Sequence, residues 1–213
     1  MVLTYYGKAC VKVTQGDTTI AFNPFGKGVG DRYPRFGADI VLVSRKSSEY
    51  NASENMSAGE KMPFVIDGPG EYEVGGIFIK GYGVPNPENV SGPHNTIYSL
   101  VIDDIKLCHL GGLQSSTLPP DTLEQLGEID IVFVPVWKGD VLPPADAYKL
   151  AASLEPKLVI PLANGEDEKD APLATFMKEA GESKNEWVDK LTLKRKDLEG
   201  KEGDIILISP GLS

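Results

Sequence analysis

Along the first half of the chain, apolar and polar positions alternate in short runs broken by glycine and proline. Residues 2–6, 9–14 and 18–22 read as β-strands, and Gly16-Asp17 between the last two reads as a hairpin turn. Asp39-Ile40-Val41-Leu42-Val43 is apolar without interruption after its polar start, the pattern of a strand buried on both faces. Residues 44–61 are polar and predict a loop or a weak helix. Strands resume at 64–66, 71–74 and 77–80, punctuated by Gly68-Pro69-Gly70 and Gly75-Gly76. Residues 83–95, with Pro85, Pro87 and Pro93, predict an excursion loop.

The rhythm then changes. Residues 96–102 and 105–108 flank Asp103-Asp104 as a further hairpin, after which helices and strands alternate. Helices are predicted at 119–126, 144–154 and 172–180, and strands at 129–134, 157–160, 191–193 and 205–208. Strands first and alternation later, in two groups of similar size, predict two sheets packed face to face with helices outside. No linker or short-period repeat interrupts the 213 residues, so a single domain over 1–213 is expected.

Composition narrows the possibilities. Charged residues make up 24% and hydrophobic ones 41%, ordinary for a globular chain that buries a core. No apolar run reaches the roughly 20 residues of a membrane-spanning helix, and the N-terminal segment lacks the marks of a signal peptide. The two cysteines, Cys10 and Cys108, are too few for a disulfide framework, so reduced thiols and a cytoplasmic location are expected. A net charge of −10 disfavours general nucleic-acid binding. No partner is named by the sequence, and association with further copies of the chain stays open. His94 and His109 are the only histidines, which excludes a histidine-rich metal centre.

Certain segments occur in a telling order: Thr4-Tyr5-Tyr6-Gly7, Ile20-Ala21-Phe22-Asn23-Pro24-Phe25, Ala38-Asp39-Ile40-Val41-Leu42-Val43-Ser44, Gly68-Pro69-Gly70-Glu71-Tyr72, Asn95-Thr96-Ile97-Tyr98, His109-Leu110-Gly111 and Ile160-Pro161. Together they resemble the metallo-β-lactamase fold, in the branch of zinc-dependent hydrolases similar to ascorbate-6-phosphate lactonase. The resemblance covers nearly the whole chain. It implies an α/β architecture, an αββα four-layer sandwich with two mixed sheets flanked by helices. In that family H-x-H-x-D-H follows the buried strand, and a later histidine, an aspartate and a final histidine complete a site for one or two Zn²⁺. The ions turn bound water into hydroxide.

This sequence departs from that set at nearly every position. Arg45, Ser47, Glu49 and Tyr50 occupy the H-x-H-x-D-H positions, and only Glu49 keeps zinc-ligand chemistry. His109 matches the later histidine, but Gly112 replaces the aspartate and Ala163 the final histidine. Lys8 stands where the branch often has histidine, and Asn23 where it has aspartate. The resemblance therefore implies a fold kept and a metal site dismantled, with no cofactor: a binding or assembly module descended from hydrolases. The competing expectations are a divergent hydrolase with metal-independent chemistry, and one that recruits metal through Glu49 and His109 with a partner's help.

Each candidate also has a plainer reading. His109 can be a hydrogen-bonded core histidine. Cys108 and His109, adjacent on a strand, point to opposite faces and so do not start a metal site together. His94 follows Pro93 in a loop and is expected to be solvated. Lys8, Arg45 and Lys46 could instead hold an anion. The electrostatic expectation is that Arg45 or Lys8 lies within about 4 Å of Glu49 and fills the former metal cavity.

Overall fold

The computed structural model describes residues 1–29, 32–85, 95–163, 171–182 and 187–211. Its first sheet is built from β1 (Val2–Tyr5), β2 (Val11–Gln15), β3 (Thr18–Phe22), β4 (Ile40–Leu42), β5 (Phe64–Ile66) and the late strand β13 (Leu191–Thr192), in the order β13-β1-β2-β3-β4-β5. The hairpins β1–β2 and β2–β3 are antiparallel, whereas β3, β4 and β5 run parallel. The second sheet contains β6 (Gly70–Val74), β7 (Ile77–Val84), β8 (Asn95–Ile102), β9 (Ile105–His109), β10 (Ile131–Pro135), β11 (Leu158–Leu162) and β14 (Asp204–Ile205). Its order is β14-β11-β10-β9-β8-β7-β6, antiparallel from β6 to β9 and parallel from β9 onward. A small two-stranded sheet pairs β12 (Trp187–Val188) with β15 (Leu207–Ile208).

Strand periodicity sorts the side chains into two apolar layers. Between the sheets lie Leu3, Ile20, Phe22, Ile40, Leu42 and Ile66 from the first, with Ile79, Tyr98, Leu100, Leu107, Phe133 and Ile160 from the second. The alternate residues Cys108, Val132, Val134 and Val159 face outward, where α1 (Pro120–Leu126), α2 (Pro144–Ser153) and α3 (Ala171–Glu179) cover them with Leu126, Ala147, Leu150, Ala151 and Phe176. Pro120 and Pro144 open the first two helices, where a missing N–H costs no helix bond.

On the far side, Ala21, Val41 and Val43 are covered by Phe36, Ala38 and the 3₁₀ turn Ser53–Met56 rather than by an α-helix of the described residues. Pro24, Gly26, Pro34 and Gly37 in this outer layer disfavour helix. The two-sheet sandwich thus stands with α-helices over one face and, among the described residues, a loop and a 3₁₀ turn over the other. Three details differ from the sequence reading. β7 continues through Gly83 and Val84, which the proline-rich stretch had assigned to a loop. A short strand at Trp187–Val188 lies outside the segments the sequence pattern assigned to strands. Residues 44–61 hold a 3₁₀ turn and no α-helix. His94 lies outside the described residues. Among those described, no helix is long and apolar enough to cross a membrane.

The chain leaves β3, β4, β9, β10 and β11 at one end of the sandwich, where Asn23 after β3 meets Ser44 after β4, and Arg45 meets Gly112 after β9 and Asp140 after β10. Tyr98, from β8, ties the sheets together near this end, its hydroxyl 2.9 Å from the Val43 carbonyl and 3.1 Å from that of Ile66.

Candidate functional site

His109 ends β9 with its ring in the core, stacked on Phe22 (centroids 4.8 Å apart) and Phe133 (5.5 Å). Its Nε2 lies 3.0 Å from the Ala9 carbonyl oxygen. A carbonyl only accepts, so Nε2 carries the proton. On the other side the Gly111 N–H donates to Nδ1 at 2.9 Å. This network assigns a neutral tautomer with both ring nitrogens engaged and no lone pair left for a metal. Burial pushes its pKa down to about 3, only partly opposed by the Ala9 carbonyl. Cys108 faces the helix layer instead, its thiol pushed up to about 12 by burial, so the neighbours on β9 do point to opposite faces.

Just beyond, Gly111 takes a left-handed φ of +66°. A Cβ there would stand 2.5 Å from Ser44 Oγ and 2.6 Å from Asn95 Oδ1, so only glycine fits the turn. Asn95 secures it by donating to the Leu110 carbonyl (2.9 Å) and accepting from the Gly112 N–H (2.9 Å).

The decisive packing is at Gly112. A Cβ on this residue would lie 2.7 Å from Tyr50 Cζ and 2.8 Å from Arg45 Cδ. The space a side chain at 112 would need is thus filled by Arg45 and Tyr50 from the loop after β4. Tyr50 is 2% exposed, and burial pushes its phenol up to about 12 against the pull of Arg45. Arg45 lies with its guanidinium 5.6 Å from the Tyr50 ring centroid. Its Nη2 is 2.6 Å from Asp140 Oδ2, and its Nη1 donates to the Asp140 carbonyl at 3.0 Å. Burial works against the Arg45 charge, but the Asp140 carboxylate outweighs it and strengthens its hold on the proton. Gln114 donates to the other Asp140 oxygen. One guanidinium therefore links the loops after β4, β9 and β10.

The remaining positions fall around this core. Lys8, at a left-handed φ of +52°, places Nζ 3.5 Å from Glu49 Oε1. The expected ion pair is made by Lys8, while Arg45 turns away from Glu49 to Asp140. That choice follows from the turn at 45–50, closed by Ser47 N–H to the Arg45 carbonyl and Tyr50 N–H to the Ser47 carbonyl. Lys46 goes to a third carboxylate, Asp67, at 3.3 Å, so the three cations disperse rather than converge on one anion. Ser47 is exposed. Asn23, fully buried at φ +46°, accepts the Ser44 N–H on Oδ1 at 2.7 Å. Its Nδ2 and the Ser44 Oγ are buried without a hydrogen-bond partner among the described residues. Ala163 packs its methyl beside Leu173 and Leu207, and its carbonyl lies 3.0 Å from the Tyr5 hydroxyl.

The zinc that the fold family implies does not fit this set. His109 has no free nitrogen, Gly112 and Ala163 offer no donor, Arg45 is a cation, and among the described residues no three His, Cys, Asp or Glu side chains gather to hold a metal. Asp140 escaped the sequence reading: an aspartate in a Lys-Gly-Asp loop, 95 positions from its partner, carries no local signal. Asn95 was visible in its motif, but its bracing of Gly112 was not.

Residues 2–163 match the sequence model of the β-lactamase superfamily domain. A UPF0173 protein of Pyrococcus abyssi is 20% identical over 185 residues, covering 78% of this chain and 84% of its own. Among solved structures, a Thermotoga maritima protein named as a Zn-dependent hydrolase of the metallo-β-lactamase superfamily is 29% identical, with 97% of each chain covered and a TM-score of 0.75. Igni18, a metallo hydrolase of Ignicoccus hospitalis, superposes with a TM-score of 0.62 at 13% identity over 99% of this chain and 95% of its own.

Proposed function

The chain belongs to the β-lactamase superfamily domain family, and a protein named as a Zn-dependent hydrolase is among its structural relatives; from that premise we propose that it is an inactive member serving as a binding or assembly module without a metal cofactor. The observation that carries this reading is the overlay of Gly112 by Tyr50 and Arg45. A carboxylate at that position bridges metal ions in the family resemblance, and here its space belongs to a cation and a phenol. The engaged ring of His109 supports the same conclusion independently.

Keeping carboxylates around a lost metal would strand buried negative charge, which is costly unless paired. Gly112 and Asn23 carry no charge, Glu49 meets Lys8, and Arg45 meets Asp140. The loops are held together by these contacts, so stability is independent of zinc.

The test is elemental analysis of protein purified without chelator, with melting curves recorded with and without EDTA. Zinc far below one equivalent and coincident melting curves are expected. A stoichiometric metal, or a chelator-induced fall of several degrees, would overturn the reading, because a metal that binds only the native state stabilises it.

A further inference from the structure

Two polar groups beside the Gly111 turn are enclosed by the fold and left over by its hydrogen bonds. Asn23 has 0% of its surface exposed and Ser44 2%, yet neither Asn23 Nδ2 nor Ser44 Oγ has a partner among the described residues. A buried group left so costs at least the worth of a hydrogen bond, and native folds supply it with a partner. The amide orientation is fixed, because Oδ1 accepts the Ser44 N–H at 2.7 Å and Nδ2 is the end that remains. The same bond makes the two groups neighbours, since Ser44 Oγ belongs to the residue whose N–H holds Asn23. They do not bond to each other. Ser44 Oγ also borders the bare face of Gly111, 2.5 Å from the position a Cβ would take, with Asn95 Oδ1 on that face at 2.6 Å. Asn95 Oδ1 accepts the Gly112 N–H and has a second lone pair to offer.

We infer that one internal water molecule bridges Asn23 Nδ2 and Ser44 Oγ beside Gly111, within reach of Asn95 Oδ1 as a further acceptor. The chemistry of the groups selects this occupant. Nδ2 presents protons and so repels a metal cation. An anion would be buried without a counter-charge, because Arg45, next to Ser44 in the chain, is bound to Asp140. The molecule must be neutral, accept from an N–H, pair with a hydroxyl and fit where both residues have lost their surface. Water meets all four conditions, and two to four polar partners are what an internal water takes. Asn23 follows β3, Ser44 follows β4 and Gly111 follows β9. The water therefore ties two loops of the first sheet to the turn that carries Gly112. The inference does not depend on whether the protein is active.

A high-resolution crystal structure of the full chain is expected to show a single peak within about 2.7–3.2 Å of both Asn23 Nδ2 and Ser44 Oγ. The two groups bonded directly to each other or to protein atoms, with no peak between them, would overturn the inference. So would a peak that gains an anomalous signal when bromide replaces chloride, because that occupant is a halide. Ser44→Ala removes only Oγ and leaves the backbone bonds to Asn23 Oδ1 and Thr96 in place. Deleting a hydroxyl that water bridges should lower Tm by roughly 2–4 °C, the shift of one hydrogen bond in a chain of this length. Deleting a hydroxyl that has no partner instead relieves a buried orphan, so a Tm equal to or above that of wild type would overturn the bridge. The wild-type crystal structure decides the matter if the variant fails to fold.

Discussion

Replacing Gly112 by alanine adds a single methyl group at the point where Tyr50 and Arg45 fill the site. The new Cβ would sit 2.7 Å from Tyr50 Cζ and 2.8 Å from Arg45 Cδ, well inside van der Waals contact. Neither neighbour can retreat freely. Tyr50 is buried, and Arg45 is anchored at 2.6 Å to Asp140 and at 3.0 Å to its carbonyl. Overpacking of this kind costs about 1–3 kcal/mol, which for a chain of this length lowers Tm by roughly 2–12 °C. Gly112→Asp requires the same Cβ and carries the same clash, so it should not melt above Gly112→Ala by more than its attraction to Arg45 restores. The assay is thermal and urea unfolding of wild type, Gly112→Ala, Tyr50→Leu and the double variant. If the methyl collides with Tyr50, the double variant should be more stable than the two single effects predict by about 1 kcal/mol or more. A Gly112→Ala protein that melts with wild type, together with additive effects, would refute the packing argument and with it the main support for a dismantled metal site.

Two further outcomes follow from buried charge. His109 is neutral in the fold with a pKa of about 3, against an ordinary value near 6.5, so the unfolded chain binds a proton that the folded chain refuses. Its contribution is complete above pH 6.5 and is lost as pH falls toward 3, at a limiting slope of about 1.4 kcal/mol per pH unit; urea unfolding of His109→Gln from pH 7 to 4 should show a slope shallower by that amount, and parallel slopes would refute it. Asp130 is 7% exposed and receives Lys157 at 2.6 Å, Arg195, and the Lys106 N–H at 2.8 Å. Burial alone would raise its pKa, but these donors outweigh it and hold it below the ordinary carboxylate range. Asp130→Ala should lose about 1–3 kcal/mol, mainly from the Lys106 N–H left without its acceptor, because Lys157 and Arg195 are about one-third and one-half exposed and turn to solvent. A loss within about 0.5 kcal/mol at pH 7 would show that the carboxylate does not hold this corner.

Most of the fold was legible because its strands carry their burial in their pattern. Ile131, Phe133 and their alternates divide cleanly between the two apolar layers, and Gly16-Asp17 and Asp103-Asp104 mark real turns. The strand ends were harder. Tyr82 and Val84 continue β7 because they pack with Ile97 and Cys108 in the layer beneath the helices, and a run containing Gly81, Gly83 and Pro85 does not announce that contact. In the site, motif spacing singled out Arg45, Tyr50, His109 and Gly112, which the structure brings to one end of the sandwich. It could not give their pairing. Whether Arg45 meets Glu49, four residues away, or Asp140, ninety-five away, depends on how the 45–50 turn aims its side chains.

That pairing also explains why the substitutions belong together. Arginine at 45 without Asp140 would leave a guanidinium only 8% exposed with its charge uncompensated. Tyrosine at 50 with aspartate at 112 would be a steric collision. A histidine at 109 kept for metal would need one nitrogen released from the Ala9 carbonyl or the Gly111 N–H, each a buried group that would then be left unsatisfied. Introducing a metal ligand at any one of these positions alone therefore meets opposition from the others. Arg45 by itself holds the loops after β4, β9 and β10 in one arrangement, through the Gly112 carbonyl, Asp140 and the ring of Tyr50.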